Sequence, residues 1–456
     1  MRIEQQKISG VSPEIEYSED LAAFISASPT SYHAAHEVAR RLDGAGFTPQ
    51  LESEPWDGSV GGHYVVRDGA VVAWRVPEGT PQSFRIIGSH TDSPGFKVKP
   101  SAASHHYGFS QINVETYGGL LANSWLNREL GLAGRLVSLD GSEYVVKTGP
   151  LMMIPQLAPH LDRSVREKLS LDPQKHLHPI WALGEEDLST SLTDVLVRSA
   201  TSLPLPELTG LADGGRGGDT ASSSFQESEL NPDLIAGADL FAYDCQAPQI
   251  VGGTFLAAGR QDNLVSVHAS TRALIAADCP DIALMAAFDH EEVGSGTSSG
   301  ASGPLLETVL ARIALAYGLS QDQRYQMLAR STCVSSDAGH SVNPNYAEFH
   351  DPDQYPVMGR GPMIKINANQ RYASDARGQA LWLRACHEAG EATQEFVSNN
   401  AVSCGTTIGP LTATRLGIAT VDVGVPLLSM HSVRELSSIR DDVALSNIMK
   451  GYWNLA

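Results

Sequence analysis

The chain has 456 residues, with 52 acidic against 32 basic side chains, a formal net charge of -20, 42% hydrophobic residues and 5 cysteines. Such a length suggests roughly two or three domains with a core that needs no covalent staples, and the scattered cysteines, with no paired CxxC, argue against a disulfide framework or a thiolate zinc knuckle. The acidic balance disfavours nucleic-acid and anionic-membrane binding, and the chain shows neither an apolar leader nor an uncharged run of bilayer length, so a soluble protein of the reducing cytoplasm is expected.

After Ser18, EDLAAFISASPTSYHAAHEVARRLDGAGF carries helical apolar spacing, with Pro29 and Thr30 as a restart and Gly44 to Gly46 as a stop, which predicts two helices. YVVRDGAVVAWRV and FRIIGSH follow as strands, the first divided by an Asp-Gly turn. From about Lys99 to Gln249, short runs such as GRLVSL and SEYVVKTG alternate with turn residues in the manner of a separate β-rich domain. Late in that region the polar stretch LTGLADGGRGGDTASSSFQESELNP predicts a mobile surface loop. From Ile250 onward short apolar runs alternate with amphipathic helices, the pattern of an α/β domain with a mostly parallel central sheet. The two outer regions share that style. The expected organisation is one discontinuous α/β domain, residues 1–98 and 250–456, with a β-rich domain, residues 99–249, inserted into it.

Five apolar runs end in groups able to bind metal: FRIIGSH leads to His90 and Asp92, FLAAG to Asp262, IALMAAF to Glu291 and Glu292, TCVSS to Asp337, and PLLSM to His431. Ligand sites in open α/β sheets form beyond the carboxyl ends of the strands, so these residues are expected to converge. Two histidines, three carboxylates and a spare carboxylate suit a pair of divalent ions. Each ion takes one His and one carboxylate, a third carboxylate bridges them, and the spare serves as base. Adjacent Glu291 and Glu292 fit that division, because neighbouring residues point differently. Asp92, two residues beyond His90, can accept the second imidazole N–H and set the ligating tautomer.

Taken singly, each of these residues also reads as a cap or turn residue: Asp262 as a helix N-cap, and the Glu pair as a solvated helix start. His33, His36, His63, His105, His106 and His268 read as surface or internally satisfied residues. Repetition at the same end of successive strands is what favours the metal reading. A rival motif, Gly296-Thr297-Ser298-Ser299-Gly300, matches G-x-S-x-G, with Asp337 and His431 following in α/β-hydrolase order. Its context is wrong, because DHEEVGSG separates Ser298 from its strand and the elbow must sit at the strand-to-helix turn. The glycines and serines read instead as a helix-entry loop, and no HExxH helix is present.

The segments GSHTDSPGFKVKP, VETYGGL, LAAGRQDNL, FDHEEVGSGTSSGA, SSDAGHSVNPNY, IKINANQRYA, CGTTIGP and MHSVREL, in this order across nearly the whole chain, resemble the aspartyl aminopeptidase family of dinuclear zinc metallopeptidases. The resemblance implies a zinc-exopeptidase-like catalytic domain and an inserted domain for dimerisation and assembly into a homododecamer. It implies one metal held by His90 and Asp337, the other by Glu292 and His431, with Asp262 bridging, Glu291 as general base and Asp92 as the partner of His90. His160, in LAPHLDRS, would reach a neighbouring subunit's site, and Lys365 would bind the acidic side chain of a peptide beginning with Asp or Glu. By itself Lys365 reads equally as a strand-edge lysine. Zinc fits the donors, and cobalt or manganese fits them too. Two departures stand out: the family's W-F-D-R-D-L is here Trp125-Leu126-Asn127-Arg128-Glu129-Leu130, and its Asp-x-Pro before CGTTIGP is Ala401-Val402-Ser403. Neither touches an implied ligand. The rival functions are a dinuclear deacylase or carboxypeptidase on a similar domain, and a non-catalytic assembly in which metals serve only structure.

Overall fold

The structure is a computed structural model that describes residues 12–56, 58–184, 188–202 and 230–455. The N-terminal residues up to 11 and most of the predicted glycine- and serine-rich loop, up to residue 229, lie outside the described residues.

Two helices open the described chain. Pro13–Ala27 starts six residues earlier than the sequence predicts, because Ser12 accepts the Ile15 N–H as N-cap and Pro13 occupies the first turn. Ser31–Gly44 follows, separated by Pro29 as expected. The strands Gly61–Arg67 and Ala70–Val76 form the predicted hairpin, with Asp68 at φ +53° in its turn.

A nine-stranded mixed sheet forms the α/β core. At its centre three parallel strands lie side by side: Ile282–Phe288, Phe84–His90 and Thr332–Ser336. Their side chains are buried on both faces, as expected of central parallel strands covered by helices. Helices Gln261–Ile275, Ala376–Ala389 and Ile439–Asn454 pack together on one side around Trp382, Tyr452 and Trp453, all fully buried. Leu305–Ala316 and Ile408–Leu416 cover the other side. Carboxyl-terminal to the three central strands the backbone carries His90, the Asp289–Glu292 segment and Asp337, so one sheet edge gathers residues nearly 250 positions apart in the chain.

A separate seven-stranded sheet, antiparallel throughout, is built from strands between Gly95 and Asp244 and has its own core around Phe96, Trp125, Leu132 and Leu240. Its long hairpin, Gly95–His106 with Phe109–Tyr117, begins five residues after His90 and so grows directly out of the metal-ligand end of the α/β core.

Two of the five predicted strand ends belong elsewhere. Phe255–Ala258, before Asp262, lies in a three-stranded antiparallel sheet with Gln249–Val251 and Glu435–Ser438. Pro426–Leu427, before His431, pairs with the two-residue strand Gly339–His340. These short pieces are annexes to the main sheet, and Asp262 and His431 reach the site from beside it. Sequence runs of four or five apolar residues look alike in either sheet, which is why the distinction was hidden.

Candidate metal centre

His90, at the last position of its central strand, is 1% exposed, and its Nε2 lies 3.4 Å from Asp262 Oδ1, 3.7 Å from Asp337 Oδ1 and 4.0 Å from Glu291 Oε2. His431 Nε2 lies 3.3 Å from Asp262 Oδ2 and 3.5 Å from Glu292 Oε1. Asp262 therefore turns one oxygen to each imidazole. Two triads share it, His90–Asp262–Asp337 and Asp262–Glu292–His431, each with donor atoms close enough for one ion. A further grouping, His90–Glu291–Glu292, overlaps both. All seven metal-site and catalytic residues named from the sequence thus come to one place.

The donors suit cations. Asp262 Oδ1 and Glu292 Oε1 are buried oxygens without a hydrogen-bond donor, an expensive state for a carboxylate unless a positive charge faces it. Both histidines aim Nε2 at the carboxylates, while Nδ1 is held by a backbone carbonyl: Asp92 O at 3.1 Å for His90 and Gly119 O at 3.0 Å for His431. That arrangement fixes the tautomer with a lone pair on the ligating nitrogen. The orienting acceptor of His90 is thus primarily the Asp92 carbonyl, with the Asp92 carboxylate slightly further away at 3.4 Å.

The Asp92 side chain has a larger task. One oxygen accepts the Glu291 N–H at 3.0 Å, and the other accepts the Glu292 N–H at 3.1 Å and the Tyr117 hydroxyl at 2.8 Å. The Glu291–Val293 turn it holds is a single 3-10 turn, entered through His290 at φ +61°. A second carboxylate does the same on the opposite side: Glu435 accepts the His431 N–H at 2.7 Å and the Asp262 N–H at 3.0 Å. Sequence reading missed Glu435. The available signal was its place four residues after His431 in MHSVREL.

Crowded buried acids set the electrostatics. Burial, followed by the neighbouring charges of Asp337, Asp262 and Asp92, pushes the Glu291 carboxyl up to about 7, although His90 opposes the shift. Burial and the Asp262 charge raise Glu292 well above the usual carboxylate range. Burial works against protonated His431, but Asp262 and Glu292 outweigh it and push the ring up to about 10. Every direction signals a shortage of positive charge, which two divalent cations would supply.

Lys365 is not at a strand edge. Its strand, Met363–Ile366, lies between Ala419–Gly424 and Gln394–Val397, and the residue is 3% exposed. Its ammonium donates to Ala338 O at 2.7 Å and lies 3.8 Å from Asp337. Beside it opens a cavity of about 370 Å³ lined by His340, Phe349, His350, Tyr372, Phe396 and Cys404 among others, and by no carboxylate. His160 lies apart from this cluster, exposed between Leu157 and Leu161, which are 56% and 78% exposed. Ser298 is exposed in a loop, whereas Asp337 and His431 are both committed to the triads, so the hydrolase arrangement does not form.

The sequence profile of the family described as aminopeptidase I zinc metalloprotease (M18) matches residues 24–453. The chain belongs to the M18 family. A probable M18 family aminopeptidase 2 of Streptomyces avermitilis is 47% identical over 449 residues, covering 96% of this chain and 97% of the relative. A chain in the cryo-EM structure of the Ape4 and Nbr1 complex superposes with a TM-score of 0.86 at 29% identity, covering 96% of this chain and 86% of that one. The mApe1 dodecamer of S. cerevisiae superposes at 0.78 with 25% identity, covering 95% of each chain. As an M18 protein, the chain is a metal-dependent aminopeptidase, a hydrolase of peptide bonds, and its α/β core with a separate antiparallel sheet is the M18 architecture. Clustered triads sharing Asp262 mark a dinuclear metal site. No helix among the described residues is long and apolar enough to cross a membrane.

Proposed function

We propose that the chain releases N-terminal residues from peptides, with Asp and Glu preferred. The observation that supports this preference is the cavity beside the triads, which has two imidazoles and no carboxylate in its wall, with the Lys365 ammonium 5.6 Å from the ring of Tyr372 behind that wall. In a protein of net charge -20, a wall free of carboxylates with the Lys365 ammonium behind it suits an acidic side chain. His90 and Asp337 would hold one ion, Glu292 and His431 the other, and Asp262 both. Zinc suits this mixture of imidazole and carboxylate, and cobalt and manganese are the alternatives.

The bound ions would polarise the scissile carbonyl, anchor the free α-amine and lower the pKa of an attacking water. The chain's own residues do the rest. Glu291, half-buried and with no hydrogen bond to its carboxylate among the described residues, takes the proton of the water and delivers it to the leaving amine. Asp92 and Glu435 hold the backbones of Glu291, Glu292, Asp262 and His431, so the donors are set before substrate arrives. Residues 1–98 and 250–456 would form the catalytic domain and residues 99–249 the dimerisation domain. Assembly into a homododecamer would place His160, which stands between two exposed leucines, at a neighbouring subunit's site; the mApe1 dodecamer of similar fold supports this. Five free thiols fit a reducing cytoplasm.

The test is a panel of aminoacyl chromogenic substrates, including Asp, Glu and Leu, assayed with defined metals after chelation. Asp or Glu should exceed Leu in kcat/KM by about tenfold or more, the scale of one charged contact, and Lys365→Met should erase the difference. Faster cleavage of Leu would refute the acidic preference while leaving aminopeptidase activity intact.

A further inference from the structure

Where the chain leaves the seven-stranded sheet, the segment from Tyr117 to Ser124 packs against the metal centre, and its contacts fall mainly on one triad. Tyr117, at the end of the strand Phe109–Tyr117, donates its hydroxyl to Asp92 Oδ2, the oxygen that also accepts the Glu292 N–H. Glu291 N–H and His90 Nδ1 face the other oxygen, Asp92 Oδ1. Two residues on, Gly119 O holds His431 Nδ1 at 3.0 Å, and the Leu121 N–H donates to His431 O at 3.0 Å. Ser124 Oγ then accepts the Val433 N–H at 3.1 Å. Gly118, at φ +68°, brings the backbone so near that a Cβ there would stand 3.2 Å from Glu292 Cβ and 3.3 Å from Glu292 O. This segment therefore contacts Glu292 and His431, the two donors that complete one triad with Asp262. His90 instead sits in its central strand opposite Phe288, and the Asp337 N–H donates to Val423 O at 2.9 Å.

We propose that the Tyr117–Ser124 segment is a brace for one of the two metal positions, and that Tyr117 is a positioning residue acting through Asp92 on Glu292. The inserted sheet then helps to build the dinuclear site within its own subunit, apart from any part it plays in assembly. The consequence is asymmetry: loosening the brace weakens the position formed by Asp262, Glu292 and His431 and spares the one formed by His90, Asp262 and Asp337. Partners of metal ligands that act from behind in this way typically change metal affinity by about 10- to 100-fold when removed.

This inference rests on the dinuclear reading, and metal binding separates the two. Full-length chain stripped by chelation is titrated with Co2+ in competition with a chromophoric chelator, and the visible Co2+ spectrum is followed at each equivalent. The native chain should bind two ions; binding of one or none would refute the dinuclear reading itself. Tyr117→Phe, which deletes a single oxygen, should bind the first ion as the native chain does and the second about 10- to 100-fold more weakly. Its kcat should fall at limiting metal and recover with excess, with KM for the peptide little changed. Ser124→Ala, which frees the Val433 N–H next to the His431 loop, should show the same one-site loss at smaller size. Two ions bound by both variants as tightly as by the native chain would overturn the proposal, and so would equal weakening of both positions, which would indicate general loosening of the fold.

Discussion

Glu291 and Glu292 are consecutive, yet their surroundings divide the work between them. Glu292 belongs to a triad with His431 and Asp262, whereas Glu291 joins only the overlapping grouping with His90 and Glu292 and has no hydrogen bond to its carboxylate among the described residues. Glu291→Gln keeps the shape and removes the proposed base. The expected outcome is a fall in kcat of roughly 10²- to 10⁴-fold, the usual contribution of a general base, with two metal equivalents still bound on elemental analysis. Glu435 predicts a different signature, because it touches ligands only through their backbones. Glu435→Ala frees the N–H groups of Asp262 and His431 inside the fold, so metal affinity should drop by about 10- to 100-fold in chelator competition. Excess metal should restore part of the activity in that variant and none in Glu291→Gln.

At the scale of elements, close approaches separate those that support the site from those that do not. Helix Ile408–Leu416 lies so near the strand Ala419–Gly424 that a Cβ on Gly409 would stand 2.3 Å from the buried Asp422 carboxylate. Asp422 also accepts from Ala373 N and Thr407 Oγ1, both at 2.6 Å, in loops whose neighbours Tyr372 and Cys404 line the cavity. Gly409→Ala should therefore cost about 1–3 kcal/mol of stability by overpacking and raise KM as the cavity wall shifts. Helix Gln321–Arg330 is the contrast. Its start is a complete capping box between Ser320 and Gln323, and it contributes nothing to the triads. Ser320→Ala should lower stability by about 1 kcal/mol in urea denaturation and leave kcat/KM unchanged. The first two helices were legible in the sequence as periodicity with breaks at Pro29 and Gly44, because those signals are local.

For the molecule as a whole, stability is tied to charge in two ways. Removing metals should lower Tm by several degrees, since ions bound only by the folded chain stabilise it by mass action and neutralise the buried acids at the sheet edge. Differential scanning with and without chelator checks this. Acidification adds a second dependence. His268 is fully buried, and burial, partly opposed by Asp20 at 2.8 Å, pushes its ring down to about 4, below the unfolded value near 6.5. As pH falls the unfolded chain takes up this proton first. The stability associated with the neutral ring is complete above about pH 6.5 and is lost progressively towards pH 4. Urea midpoints should decline across that window, and His268→Gln should flatten the decline even with metals removed.

Strand-end chemistry and ordered motifs made the α/β class and the members of the shared His and carboxylate cluster visible in the sequence alone, because a carboxylate or imidazole directly after an apolar run is a short-range signal. The same window hid the sheet to which each run belongs. Only pairing in three dimensions placed Phe255–Ala258 and Pro426–Leu427 in annexes, and put Lys365 on an interior strand. The backbone clamps of Asp92 and Glu435 and the Tyr117 brace were equally hidden: they join residues 4 to 200 positions apart through N–H groups, carbonyls and one hydroxyl. Those groups occur at nearly every position of the chain, so residue type carries no trace of which one will be used. Side-chain chemistry is local and written in the sequence, whereas the orientation of that chemistry comes from long-range packing and backbone hydrogen bonding.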